Sequence, residues 1–145
     1  MPSEFQSDLA ELKTDIDASR TQLDSAVATI NNLDRARRGG WSLRRILEHV
    51  IDSEWLYAIL VSHLGGQQAP DRPQVSLDAA DIADAARQLT TCRQALLTAL
   101  NGATEDNFYE IQKLGHEEYS ILSVLENVAN HDREHAEQIN KVLSA

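Results

Sequence analysis

From the start of the chain, apolar residues recur at steps of three and four: Phe5, Leu9, Leu12, Ile16, Leu23, Val27, Ile30 and Leu33. At 3.6 residues per turn they line one face, so the spacing predicts a single long helix over about 4–33. Such a stripe cannot be buried by its own helix and needs neighbours with stripes of the same period. The segment DRARRGG ends the first helix, with basic residues suited to a helix C-terminus and a glycine pair to break it.

Three further stripes supply the neighbours. Trp41-Ser42 opens the second helix, with Ser42 as N-cap and Trp41 placed to pack as a hydrophobic staple. Ile46, Val50, Leu56, Leu60 and Leu64 carry it to Gly65-Gly66. A third helix over about 77–100 presents Ile82, Leu89, Leu96 and Leu100, and stops at Asn101-Gly102. The fourth starts near Ser120 and runs through Ile121, Val124, Leu125, Val128, Ile139, Val142 and Leu143. Between the last two, ATEDNFYEIQKLGHEEY holds no sustained period and suits a short helical turn or an extended piece. The expected fold is all-α, a four-helix bundle of helices 24 to 30 residues long, forming a single domain over 1–145. The loop GGQQAPDRPQVS, twelve residues when extended, reaches roughly 40 Å, enough to return the chain to the end where helix two began. It is therefore a candidate long crossover between helices two and three.

Composition narrows the function classes. A net charge of -10 repels phosphate backbones, which argues against a nucleic-acid partner. No uncharged apolar run approaches the roughly 18 residues of a membrane helix. The N-terminal MPSEFQSDLAELKTD lacks an apolar signal core, and the one cysteine, Cys92, cannot form an internal disulfide. A cytoplasmic location is the expectation. Cys92 lies on the stripe of helix three and reads as a small buried thiol.

The chemistry sits in NHDREHAEQI. His131 and His135, four residues apart, stack one turn from each other on one helix face. They share a stripe with 121, 124, 128, 138 and 142, and His49 shares one on helix two with 42, 46, 53, 56 and 60. Three imidazoles thus point toward the bundle from two helices. One divalent ion would satisfy all three, with neutral imidazole as ligand. Hydrogen bonds to carboxylates or water, or a place on a wet face, would satisfy them separately. His63 is about 20 Å along the axis from His49 and cannot join the same ion. His116 falls in the aperiodic stretch.

WSLRRILEHV followed by SILSVLENVANHDREHAEQI resembles the DinB-like superfamily of metal-binding four-helix bundles. The likeness spans essentially the whole chain: Trp-Ser opening helix two, a histidine seven residues after that serine, and a terminal His-x-x-x-His followed by Gln-Ile. It implies an up-down-down-up bundle and assigns His49, His131 and His135 as ligands of a divalent metal ion. An all-nitrogen set of three suits zinc, nickel or iron and leaves positions open, as in catalytic sites. Characterised relatives include thiol-dependent transferases and isomerases that use bacillithiol or mycothiol. The resemblance therefore implies a metal-dependent enzyme of S-transferase, isomerase or hydrolase type acting on a small molecule, with a low-molecular-weight thiol as possible second cofactor. The alternative is a non-catalytic bundle, in some cases a homodimer, with a structural or vestigial metal site.

Two further patterns bear on the site. HDREH also fits H-x-x-E-H of one zinc protease class, with Glu134 as the base, but only ten residues follow His135 and that class needs a distant third ligand. Arg35, Arg37, Arg38, Arg44 and Arg45 put five of the thirteen basic residues within eleven positions. Arg44 and Arg45 occupy the first turn of helix two, where the dipole disfavours cations. They read either as an anion site at the mouth of the metal pocket or as partners of the many acidic side chains. Trp55 and Tyr57 are suited to lining a pocket or to packing.

Overall fold

The computed structural model describes residues 1–77 and 82–145. Its order is α1 (Glu4–Val27), α2 (Leu43–Leu64), α3 (Ile82–Ala99), a 3-10 turn (Leu100–Gly102), α4 (Glu105–Phe108), β1 (Gln112–Leu114), β2 (Glu117–Tyr119) and α5 (Ile121–Leu143). Among the described residues the fold is all-α apart from one two-stranded hairpin. The helix starts follow side-chain capping. Ser3 and Gln6 form a reciprocal capping box on α1, and Ser120 and Ser123 form one on α5. Ser42 Oγ accepts from the Arg45 amide at the start of α2.

The four main helices are shorter than expected, at 24, 22, 18 and 23 residues. α1 stops at Val27 although its apolar period continues. Asn32 Oδ1 accepts from the Asp34 amide, a local turn that competes with helix. Ile30 and Leu33 are still buried, as loop residues that close the end of the core. Gly39, at φ 75°, then turns the chain back so that Ala36 pairs with Ser42. Of the third helix's expected first turn, residues 78–81 lie outside the described residues, and Leu77 is buried without being helical. The aperiodic stretch 103–119 contains both a helical turn and an extended piece, α4 and the β1–β2 hairpin, turned at Gly115 (φ 66°).

The helix directions follow from cross-links. Leu12 and Leu122 border one groove and Ser19 Oγ reaches Asp132 Oδ2, so α1 and α5 run parallel. Arg93 donates to the Ile16 carbonyl and Arg20 to that of Leu89, so α1 and α3 are antiparallel. Glu48 accepts from the Leu77 amide and Glu54 meets Arg93, so α2 and α3 run the same way. The bundle is up-down-down-up, with the crossover between α2 and α3 along its side.

The core is in two apolar clusters. One gathers Leu23, Leu43, Leu47, Leu89, Ala136 and Ile139, and the other Ile16, Ala58, Leu96, Phe108, Val124 and Leu125. On every main helix, one charged residue separates them in sequence: Arg20, Glu54, Arg93 and Asp132, with 7%, 2%, 8% and 2% exposure. Arg20 Nη2 lies 2.6 Å from Glu54 Oε1 and 3.4 Å from Asp132 Oδ1. Arg93 Nη2 lies 2.9 Å from Glu54 Oε1 and 2.8 Å from Asp132 Oδ2. Two cations and two anions thus cancel at mid-height and tie all four helices together. Desolvating such charges is costly, so their worth lies in fixing which helix faces which, and at what height.

Candidate metal centre

The charge layer sets the register between α2 and α5, and the three histidines stand just off it. Asp132 and Glu54 face the interior, while His131, one residue before Asp132, is turned about 100° away. The true buried line of α5 is 121, 125, 128, 132, 136 and 139, one residue round from the stripe that contains the histidines. His49, His131 and His135 therefore lie at the edge of the α2–α5 seam, partly exposed, rather than inside the bundle. Leu56, expected on the core face of α2, is 39% exposed for the same reason. Residues 43, 47, 50, 54, 58 and 61 face the core instead.

At that edge the three rings converge. His49 Nε2 is 3.3 Å from His131 Nε2, which is 2.9 Å from His135 Nε2. One nitrogen from each ring falls within 4.8 Å of the others. Nitrogens 2.0–2.1 Å from a tetrahedral ion stand about 3.3 Å apart, so this spacing suits a shared ion with little movement. His135 Nδ1 lies 2.7 Å from Gln138 Oε1. That oxygen only accepts, so Nδ1 carries the proton and the Nε2 lone pair is left facing its neighbours. Among the described residues no carboxylate joins the cluster. Glu134 is exposed, as the H-x-x-E-H reading would not have it.

Burial favours the neutral form of His131 and His49. Burial pushes His131 down to about 4, helped by His135 and His49. Burial and His135 also lower His49, with Asp52 opposing them. The consequence for metal-free protein has a definite sign. Below the ordinary histidine value of 6.5 the unfolded chain takes up a proton that folded His131 refuses until about pH 4. Stability from this group is thus complete above pH 6.5 and falls as pH drops toward 4. Urea midpoints measured across that window should fall less steeply in His131→Ala than in wild type.

Around the cluster, the Trp41 ring meets His49 edge-on at 5.4 Å, and Tyr57 meets His131 at 5.9 Å. The Trp41 ring also lies under the Arg45 guanidinium. Trp55 packs beside the core. A cavity of about 590 Å³ opens at His49, walled by Trp41, Arg45, Glu48, Asp52 and the crossover residues 72–75. His63 and His116 are exposed and distant from the site. Cys92 is fully buried, its thiol held well above the usual range by burial.

The model of the DinB superfamily matches residues 15–139. The chain belongs to the DinB superfamily. No curated protein and no solved structure matches it. The matched region of this DinB-superfamily chain holds all three histidines, Gln138 and the four-charge layer. Neither Gln138 nor the layer was assigned a role from the sequence. Gln138 carried a signal, since three residues along a helix from His135 is hydrogen-bonding distance. So did the layer, because 20, 54, 93 and 132 fall in phase with the core positions of their helices.

Proposed function

We propose that this DinB-superfamily chain is a divalent-metal-dependent enzyme acting on a small molecule, with His49, His131 and His135 as the metal ligands. The observation that supports it is the convergence of three ring nitrogens beside an open cavity. When bound, a divalent ion with open positions supplies a lowered pKa to a water or thiol at neutral pH. Zinc, nickel and iron all suit the donor set. The protein's own contributions are to hold the rings. Gln138 fixes the His135 tautomer, burial keeps His131 unprotonated, and the α2–α5 register brings His49 across. By resemblance to thiol-dependent relatives, the reaction class is S-transfer or isomerisation, with hydrolysis next. Elemental analysis of untagged protein, followed by a thiol-plus-monochlorobimane assay for thioether and chloride release, tests this. Protein that takes up no divalent metal, or that is inert with and without it, would count against the enzyme.

The competing reading is an ion that only staples α2 to α5. Against it, the seam is already fastened by both apolar clusters and by Glu54 and Asp132 bound to common arginines. A structural ion carries folding free energy, so its removal unfolds small metal-stapled domains. Chelation with EDTA is therefore expected to leave the helical circular dichroism of this protein unchanged at 25 °C. Collapse of that signal would favour the structural role.

A further inference from the structure

The arginine group resolves into separate tasks. Arg35 donates to the carbonyls of Leu143 and Ala145, closing the end of α5. Arg44 pairs with Asp34 and donates to the Leu77 carbonyl. Arg37 and Arg38 border a different hollow, with Gln138 and Lys141. Of this group Arg45 alone lines the cavity at His49, which Arg72 of the crossover also borders. Its guanidinium lies 4.3 Å from the centre of the Trp41 ring, and no carboxylate among the described residues lies within ion-pair distance of it.

Among the described residues the Trp41 ring is the cation's one partner, and no ion pair fixes it there. The first turn of a helix disfavours positive charge. The amides of that turn are already taken: Leu43 by the Arg35 carbonyl, Arg44 by that of Leu33, and Arg45 by Ser42 Oγ. Both acids of the cavity wall are engaged as well. Glu48 accepts from the Leu77 amide, and Asp52 is held by Arg72 at 3.0 and 2.7 Å. Glu48 keeps its charge but is turned toward Leu77, Asp52 is cancelled by Arg72, and Arg45 is the wall's one cation with no acid within ion-pair distance among the described residues. Arg45 and His49 are four residues apart on α2, so they project from the same face one turn from each other. Trp41 touches both the His49 ring and the Arg45 guanidinium and limits where the guanidinium can swing.

We infer that the small molecule taken by this site carries a carboxylate, bound by Arg45 at one end of the cavity while its reactive end meets the three histidines. The inference rests on the proposed metal site for the second contact only. Arg45 recognises the planar anion through its paired donors, and Trp41 holds the fork in place. It is a specificity residue, acting on which molecule binds.

The test uses 4-sulfanylbutanoate and 4-sulfanylbutan-1-ol, which differ only at the carboxylate end. Both are titrated into the full-length protein loaded with cobalt(II), reading the thiolate-to-cobalt charge-transfer band as the thiol proton is released to buffer. Wild type is expected to bind the acid at least tenfold more tightly, ~1.4 kcal/mol. Arg45→Gln should take up cobalt normally and bind both thiols alike. Equal affinities in wild type, or a preference that survives in Arg45→Gln, overturns the inference. A second arm needs no metal: in apo protein, the Arg45 Nε–H resonance should move with added 4-sulfanylbutanoate and not with the alcohol. If wild type takes up no cobalt, the metal reading fails by itself. An Arg45 resonance indifferent to the acid then overturns the carboxylate assignment independently.

Discussion

His131→Ala is expected to weaken divalent-metal binding by ~100-fold or more, while His63→Ala leaves it unchanged. His131 is the middle ring of the cluster, 3.3 Å from His49 and 2.9 Å from His135 through the same nitrogen. Its loss leaves two ligands on different helices with no ring between them. Zinc sites with four protein ligands bind with about 10–16 kcal/mol, so one ligand carries roughly 3 kcal/mol, which converts to at least two orders of magnitude in Kd. Isothermal titration of zinc into apo wild type and both variants measures this. His63 is exposed at the far end of α2 and serves as the control for a surface imidazole. Equal zinc affinity in wild type and His131→Ala would remove the basis of the proposed site.

The largest stability effect is expected at Arg93. It donates to both buried acids and to the Ile16 carbonyl, with Nη2 shared between Glu54 and Asp132. Arg93→Met keeps much of the side chain's volume but leaves two anions facing a single arginine. The Nε of that arginine, Arg20, is already without a partner. Breaking a buried charge cluster by removing one partner costs about 3–5 kcal/mol. For a chain of this length that lowers Tm by about 6–20 °C. Replacing Arg20, Glu54, Arg93 and Asp132 together by apolar residues should recover much of the loss, because no charge then stays buried and unmatched. Thermal melts of the single and fourfold variants separate the two cases. A single variant within about 1 kcal/mol of wild type would mean the layer is solvated and inessential. The fourfold variant is also expected to bind metal less well, since the layer sets the height of His49 against His131.

His131 and His135 were legible as a pair in the sequence because i, i+4 spacing guarantees a shared face whatever the helix packs against. His49 was legible from its place after the Trp-Ser opening, through resemblance to the superfamily. Their depth was not legible. A stripe two residues wide fits two rotations of a helix about its axis, and α5 takes the one that buries Asp132 and Ala136 rather than His131 and His135. The reading passed over Glu54, Arg93, Arg20 and Asp132 because charged residues default to the surface. Their exact phase with the apolar stripes marked them as interior only on the assumption that they pair with one another. The early end of α1 followed from local hydrogen bonding at Asn32, which outweighed a hydrophobic period that continues through Leu33.

By itself, the sequence determined the class of fold, the starts of α2 at Ser42 and of α5 at Ser120, and that His131 and His135 share a helix face. These depend on short-range periodicity and capping, which act within a few residues. Tertiary structure alone decided that the four charges meet, that the histidines sit at a seam edge open to a cavity, and that Arg45 faces it without an ion pair among the described residues. Each depends on how helices far apart in the chain rotate and slide against one another. That choice is made by the sum of the packing, and no local window contains it.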